Sequence, residues 1–110
     1  MFSRWSIVVK SLAFLSMFAP AAYAAGDAEK GMQLYTACVS CHGGDGRSTA
    51  MPQYPKIGGQ NHTYIVNAMK AYRDGRRQGA YAAIMSEAVK ALTDEDISDV
   101  SLYVSTLPGP

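Results

Sequence analysis

The chain has 110 residues, with ten Lys or Arg against nine Asp or Glu, a formal net charge of +1, two cysteines and two histidines. That length holds one domain, and two cysteines allow at most one disulfide. The even charge balance leaves no basic excess of the kind a nucleic-acid-binding face needs.

Residues 1–10 carry Arg4 and Lys10, residues 11–21 form an uncharged apolar run, and Ala22-Tyr23-Ala24 is a small-x-small cleavage site. This is the pattern of a secretory signal peptide. A membrane-spanning helix would need about 20 apolar residues, which the uncharged run does not reach. The expected division is a cleaved signal peptide, 1–24, and one domain, 25–110, exported and with no stable membrane insertion afterwards. Losing Arg4 and Lys10 leaves eight basic against nine acidic residues, near −1. A chain of 86 residues buries only about 60 to 65 per cent of its unfolded surface and is marginal without extra help.

In the mature chain Asp27 is placed as an N-cap, with Glu29 in the first turn where the helix dipole favours negative charge. Gly31, Leu34, Tyr35 and Cys38 then fall at helical spacing. Gly31 costs a mid-helix position about 1 kcal/mol against Ala; a close helix crossing explains it, an incidental surface glycine being the cheaper account. The helix runs into Cys38-Val39-Ser40-Cys41-His42, and C-x-x-C-H reads as a c-type haem attachment site. Two thiols one helical turn apart can each bond one vinyl group of a porphyrin, while the following His is carried under the iron. A thioredoxin-like pair would sit near a βαβ pattern, and a zinc site needs a second ligand pair; neither is present.

The run Gly43-Gly44-Asp45-Gly46-Arg47-Ser48 reads as a tight loop, and it lacks the Lys-Ser/Thr of a phosphate cradle. Residues 51–60, with two prolines and two glycines, take an extended, turning path. Within them the Pro55 carbonyl is placed to accept the outer ring N–H of His42, fixing its tautomer.

Asn61 caps a helix over about 62–74 that Gly75 ends, with Ile65, Ala68, Met69 and Tyr72 as its apolar stripe. Lys70, Arg73, Arg76 and Arg77 cluster at its end, either as a solvated basic face or as a docking patch for an acidic partner. Residues 78–83 are a small-residue loop or turn, and 84–92 lead into a last helix. Thr93-Asp94-Glu95-Asp96 starts that helix strongly, followed by Ile97, Val100, Val104 and Leu107 at helical spacing. With no strand-like alternation, the fold class is all-α: three to five short helices with long loops around a cofactor.

Read together, Cys38-Val39-Ser40-Cys41-His42-Gly43, Tyr54-Pro55-Lys56-Ile57-Gly58-Gly59-Gln60, Met85 and Leu92-Thr93-Asp94-Glu95-Asp96-Ile97 resemble the small class I cytochromes c of bacterial periplasms. Most similar are short single-haem members that look like one half of the two-haem periplasmic cytochromes. The resemblance implies the small cytochrome c fold, with crossed terminal helices carrying Gly31, Tyr35 and Tyr103. It implies one haem c bound through Cys38 and Cys41, His42 as proximal iron ligand, and a methionine sulfur opposite. Met85 has the placing seen in the family, on a late small-residue loop, with Met69 and Met51 as the competing methionines and His62 as a fallback, otherwise an exposed residue at a helix start. Two axial ligands leave no open position, so the iron exchanges electrons rather than binding substrate. The function implied is a periplasmic carrier, not an enzyme, moving one electron between redox partner proteins, a donor reductase or dehydrogenase and an acceptor oxidase or reductase. The alternative is a haem c subunit of a larger periplasmic oxidoreductase.

Overall fold

Asp27 caps the first helix. In the computed structural model, which describes Ala13 and residues 26–110, its carboxylate accepts the N–H groups of Glu29 (3.0 Å) and Lys30 (3.2 Å). These are donors that any helix start leaves unpaired, and α1 follows over Ala28–Tyr35. Apart from Ala13, the signal peptide assigned to 1–24 lies outside the described residues.

After a turn at 36–38, α2 is the single helical turn Val39–His42. The Asn61 side chain accepts the Tyr64 N–H (3.1 Å) and opens α3, His62–Arg73, which ends in Gly75 at φ 73°. Helix α4 spans Ala82–Val89, and α5 spans Asp94–Thr106 behind a capping box of Thr93 and Asp96. No strand occurs among the described residues. Two expectations change. Met85 stands on helix α4 rather than on a loop, because 82–89 is built mostly of strong helix formers with neither Gly nor Pro. His62 is half-buried rather than exposed, its Nε2 3.0 Å from the Ser98 carbonyl, so it ties α3 to α5.

Helices α1 and α5 pack on each other most extensively, α3 lies against α5, and α4 against α3. The crossing of α1 with α5 depends on Gly31: a Cβ there would overlap the Asp99 carbonyl and come within 2.9 Å of Tyr103 Cβ. Beside it the rings of Tyr35 and Tyr103 meet at 5.4 Å between centroids. The buried apolar side chains are Tyr35, Ile65, Met69, Val89, Ile97, Val100 and Val104, each contributing about 2 kcal/mol relative to exposure. Asp99 is buried beside them. Its Oδ1 accepts the Asp27 N–H at 2.7 Å and its Oδ2 lies 3.7 Å from Lys30 Nζ, so the start of α1 is held on α5 by a compensated charge.

Between α2 and α3 the chain is coil. The Gly46 carbonyl accepts the N–H groups of Ile57 (2.8 Å) and Gly58 (3.0 Å), and Gly59 N–H donates to Val104 O (3.0 Å) at the end of α5. The loop is thereby fixed both to itself and to the last helix.

Candidate functional site

The attachment motif sits where α1 gives way to α2. Both Cys41 N–H (3.3 Å) and His42 N–H (2.9 Å) point to Cys38 O, so the motif is wound into one turn. Cys38 and Cys41 are half-buried free thiols. Burial, and then the neighbouring Cys41, push the Cys38 thiol above its ordinary range. His42 is 6% exposed. Its Nδ1 lies 2.9 Å from Pro55 O; since a carbonyl only accepts, that bond requires a proton on Nδ1. Nε2 makes no hydrogen bond among the described residues, and in the Nδ1–H tautomer it carries a lone pair.

The loop beyond His42 is tightly held. Tyr35 donates its hydroxyl to Gly43 O at 2.6 Å, and burial first, then nearby Cys38, push that phenol up to about 12. Gly43 adopts φ 81° and has Ser48 O where a Cβ would stand, at 2.6 Å. Asp45 accepts Arg47 N–H (2.8 Å), Ser48 N–H (2.7 Å) and the Ser48 hydroxyl (2.8 Å). Those bonds, the Ser48 N–H foremost, bring its carboxyl down to about 2. The loop is legible in the sequence but Tyr35 and Asp45 as its fasteners are not; for Asp45 the available signal is Asp-x-x-Ser, a side chain able to bond its own downstream backbone.

The four methionines of the domain are in different states. Met32 and Met51 are exposed. Met69 is 8% exposed, and its sulfur accepts the Ser101 hydroxyl at 3.5 Å inside the core. Met85 is half-buried on α4 and packs against the core from its edge. Exposed Tyr81 and Ile84 flank it, Tyr81 meeting Tyr54 edge-on at 6.1 Å.

The basic cluster is mostly consumed inside the chain. Arg73 reaches Asp94 (2.7 Å), Asp74 (3.2 Å) and Leu92 O (3.1 Å); Lys70 lies 3.7 Å from Asp94 and Arg76 3.4 Å from Asp74. Arg77 lies over the Tyr72 ring at 4.6 Å. Arg73 therefore works as a strap on the corner between α4 and α5.

Terminal helices crossed through a glycine, with a Cys-x-x-Cys-His turn beside the crossing, define a small helical c-type haem protein. Residues 28–108 match the family model for cytochrome c. The chain is 48% identical over 82 residues to cytochrome c-554(548) of Halomonas halodenitrificans, an overlap of 74% of this chain and 98% of that one. It is 35% identical to cytochrome c4 of Stutzerimonas stutzeri, over 80% of this chain and 44% of the relative. The crystal structure of reduced recombinant cytochrome c4 from Pseudomonas stutzeri superposes with a TM-score of 0.67 at 27% identity, covering 74% of this chain and 48% of that one. The chain thus spans about half the length of the cytochrome c4 relatives and nearly all of the Halomonas protein.

This chain belongs to the cytochrome c family and is a haem c electron carrier. Members bind haem covalently through Cys-x-x-Cys, and Cys38 and Cys41 are the pair that fits, for one haem c. The residues present fit the group: both thiols are unpaired, the Nδ1–H tautomer leaves Nε2 a donor atom, and among the described residues only seven apolar side chains are buried. Nine more, Met85, Ile57 and Leu92 among them, are packed on that core but still partly open, apolar surface that a macrocycle can cover.

Proposed function

We propose that this chain is a periplasmic single-haem cytochrome c that passes one electron between protein partners, with thioether bonds at Cys38 and Cys41 and with His42 and Met85 as the two iron ligands. The observation that carries the reading is the His42 Nδ1 to Pro55 O contact of 2.9 Å. It commits one ring nitrogen to a backbone acceptor, orients the imidazole and leaves Nε2 for the metal. Bound haem c would supply a one-electron couple, with Cys38 and Cys41 holding the macrocycle and His42 and Met85 the side chains that would hold its iron.

The choice of Met85 is supported by the state of its competitors. Met69 has its sulfur occupied by Ser101 within the core, and Met32 lies on the helix that leads into the attachment motif. Met51 Sδ lies 3.6 Å from Gln53 Nε2 on an exposed turn. Tyr81 and Ile84, both nearly half exposed beside Met85, offer partners a small apolar contact suited to transient docking. The periplasmic placing rests on the signal-peptide pattern of 1–24, and among the described residues no helix is long and apolar enough to cross a membrane.

Visible spectra of the oxidised and reduced holoprotein and of Met85→Ala test the reading. Covalent haem with a weak far-red sulfur-to-iron band in the wild type, lost in Met85→Ala, is the expected result. A band that survives the substitution transfers the ligand to another methionine. Ready binding of carbon monoxide by the untreated reduced protein overturns the carrier reading.

A further inference from the structure

Both ends of the His42–Pro55 hydrogen bond trace back to one carbonyl, Gly43 O. On the imidazole side, Gly43 directly follows His42, and its N–H donates to Val39 O at 2.8 Å. On the acceptor side, Gly46 N–H donates to Gly43 O (3.1 Å), and Gly46 O in turn receives Ile57 N–H (2.8 Å) and Gly58 N–H (3.0 Å), two and three residues past Pro55. Gly43 O also receives the Tyr35 hydroxyl, its shorter bond at 2.6 Å and fully inside the protein, on a side chain 2% exposed in the crossing of α1 and α5. A ring alone would serve the packing with Tyr103. The hydroxyl serves the loop.

We infer that Tyr35 is a positioning residue for His42: through Gly43 O it sets the distance between the imidazole and the Pro55 carbonyl, and thereby the donor strength of Nε2. The inference rests on His42 as the iron ligand. A shorter Nδ1–H···O bond gives the imidazole more anionic character, which favours the ferric state and lowers the reduction potential. Removing the Tyr35 hydroxyl slackens that bond, and the potential rises.

The test compares wild-type holoprotein with Tyr35→Phe, which keeps the ring against Tyr103 and leaves Gly43 O the Gly46 N–H, so the fold is retained. Val100→Ala, a cavity in α5 with no hydrogen bond lost, is the control. The readouts are the reduction potential and, by NMR of the ferrous form, solvent exchange of the His42 Nδ1 proton. Tyr35→Phe is expected to raise the potential and speed that exchange about fivefold, the change equivalent to losing one ordinary hydrogen bond. Val100→Ala is expected to lower stability and leave both readouts at wild-type values. If Tyr35→Phe only lowers stability, or if both variants shift the readouts alike, Tyr35 is a packing residue and the inference fails while His42 ligation stands. A wild-type spectrum without an imidazole ligand overturns the ligand assignment and this inference with it.

Discussion

Asp45 fastens the loop after the attachment motif with one carboxylate that takes three hydrogen bonds, and its pH behaviour follows from them. Its carboxyl titrates at about 2 in the fold against 3.8 in the unfolded chain. A depressed pKa means the unfolded chain takes up the proton first, so the contribution is complete above the unfolded value and is lost as the pH falls through the folded one. Thermal unfolding followed from pH 5 down to about 2 is expected to show the wild-type midpoint falling through this window. Asp45→Asn is expected to fall less over the same window while starting lower. At this scale the sequence was informative wherever the chemistry was local. The Cys38/Cys41 spacing and the glycine-rich turn after His42 could be read directly, because each depends only on neighbouring residues. That Tyr35 donates to Gly43 could not be read, since a tyrosine at a core spacing looks the same whether or not its hydroxyl is used.

Among the elements, the crossing of α1 and α5 sets the position of the motif, and Gly31 sets the crossing. Gly31→Ala would press a methyl against the Asp99 carbonyl and Tyr103 Cβ, with no flexible side chain able to yield. The expected loss is about 3 kcal/mol, the upper range for overpacking, despite the gain in helix propensity. Chemical denaturation of the holoprotein measures it, and a loss below about 1 kcal/mol would mean that the helices separate freely. Three helix starts were legible, at Asp27, Asn61 and Thr93, because a capping side chain bonds amides two or three residues away. Helix α4 was not legible. Tyr81 gives its start no side-chain cap, and the small residues before it resemble a loop, which masks the strong helix formers of 82–89.

For the whole molecule, the interior is thin for a chain of this length, and partly open apolar side chains surround it. Preventing haem attachment with the double substitution Cys38→Ala, Cys41→Ala is therefore expected to abolish cooperative thermal unfolding near neutral pH, because the prosthetic group is part of the core. Circular dichroism and calorimetry of the variant check this; a sharp transition close to that of the holoprotein would show that the helices suffice alone. The charge pattern has a similar lesson. Lys70, Arg73, Arg76 and Arg77 read in sequence either as a solvated basic face or as a docking patch, and the fold supplies Asp74 and Asp94 to the first three. Pairing between α3 and the start of α5 is a property of the assembled chain and has no mark in either segment.

The sequence by itself determined the attachment chemistry, the helical class and most helix starts, because these arise from spacings of a few residues. Tertiary structure alone decided that Met69 is occupied by Ser101 while Met85 stands at the edge of the core on a helix, that His62 braces α5, and that Tyr35 reaches the loop behind His42. Each of these joins side chains on separate elements, where burial and a hydrogen-bond partner arrive together only when the helices have packed.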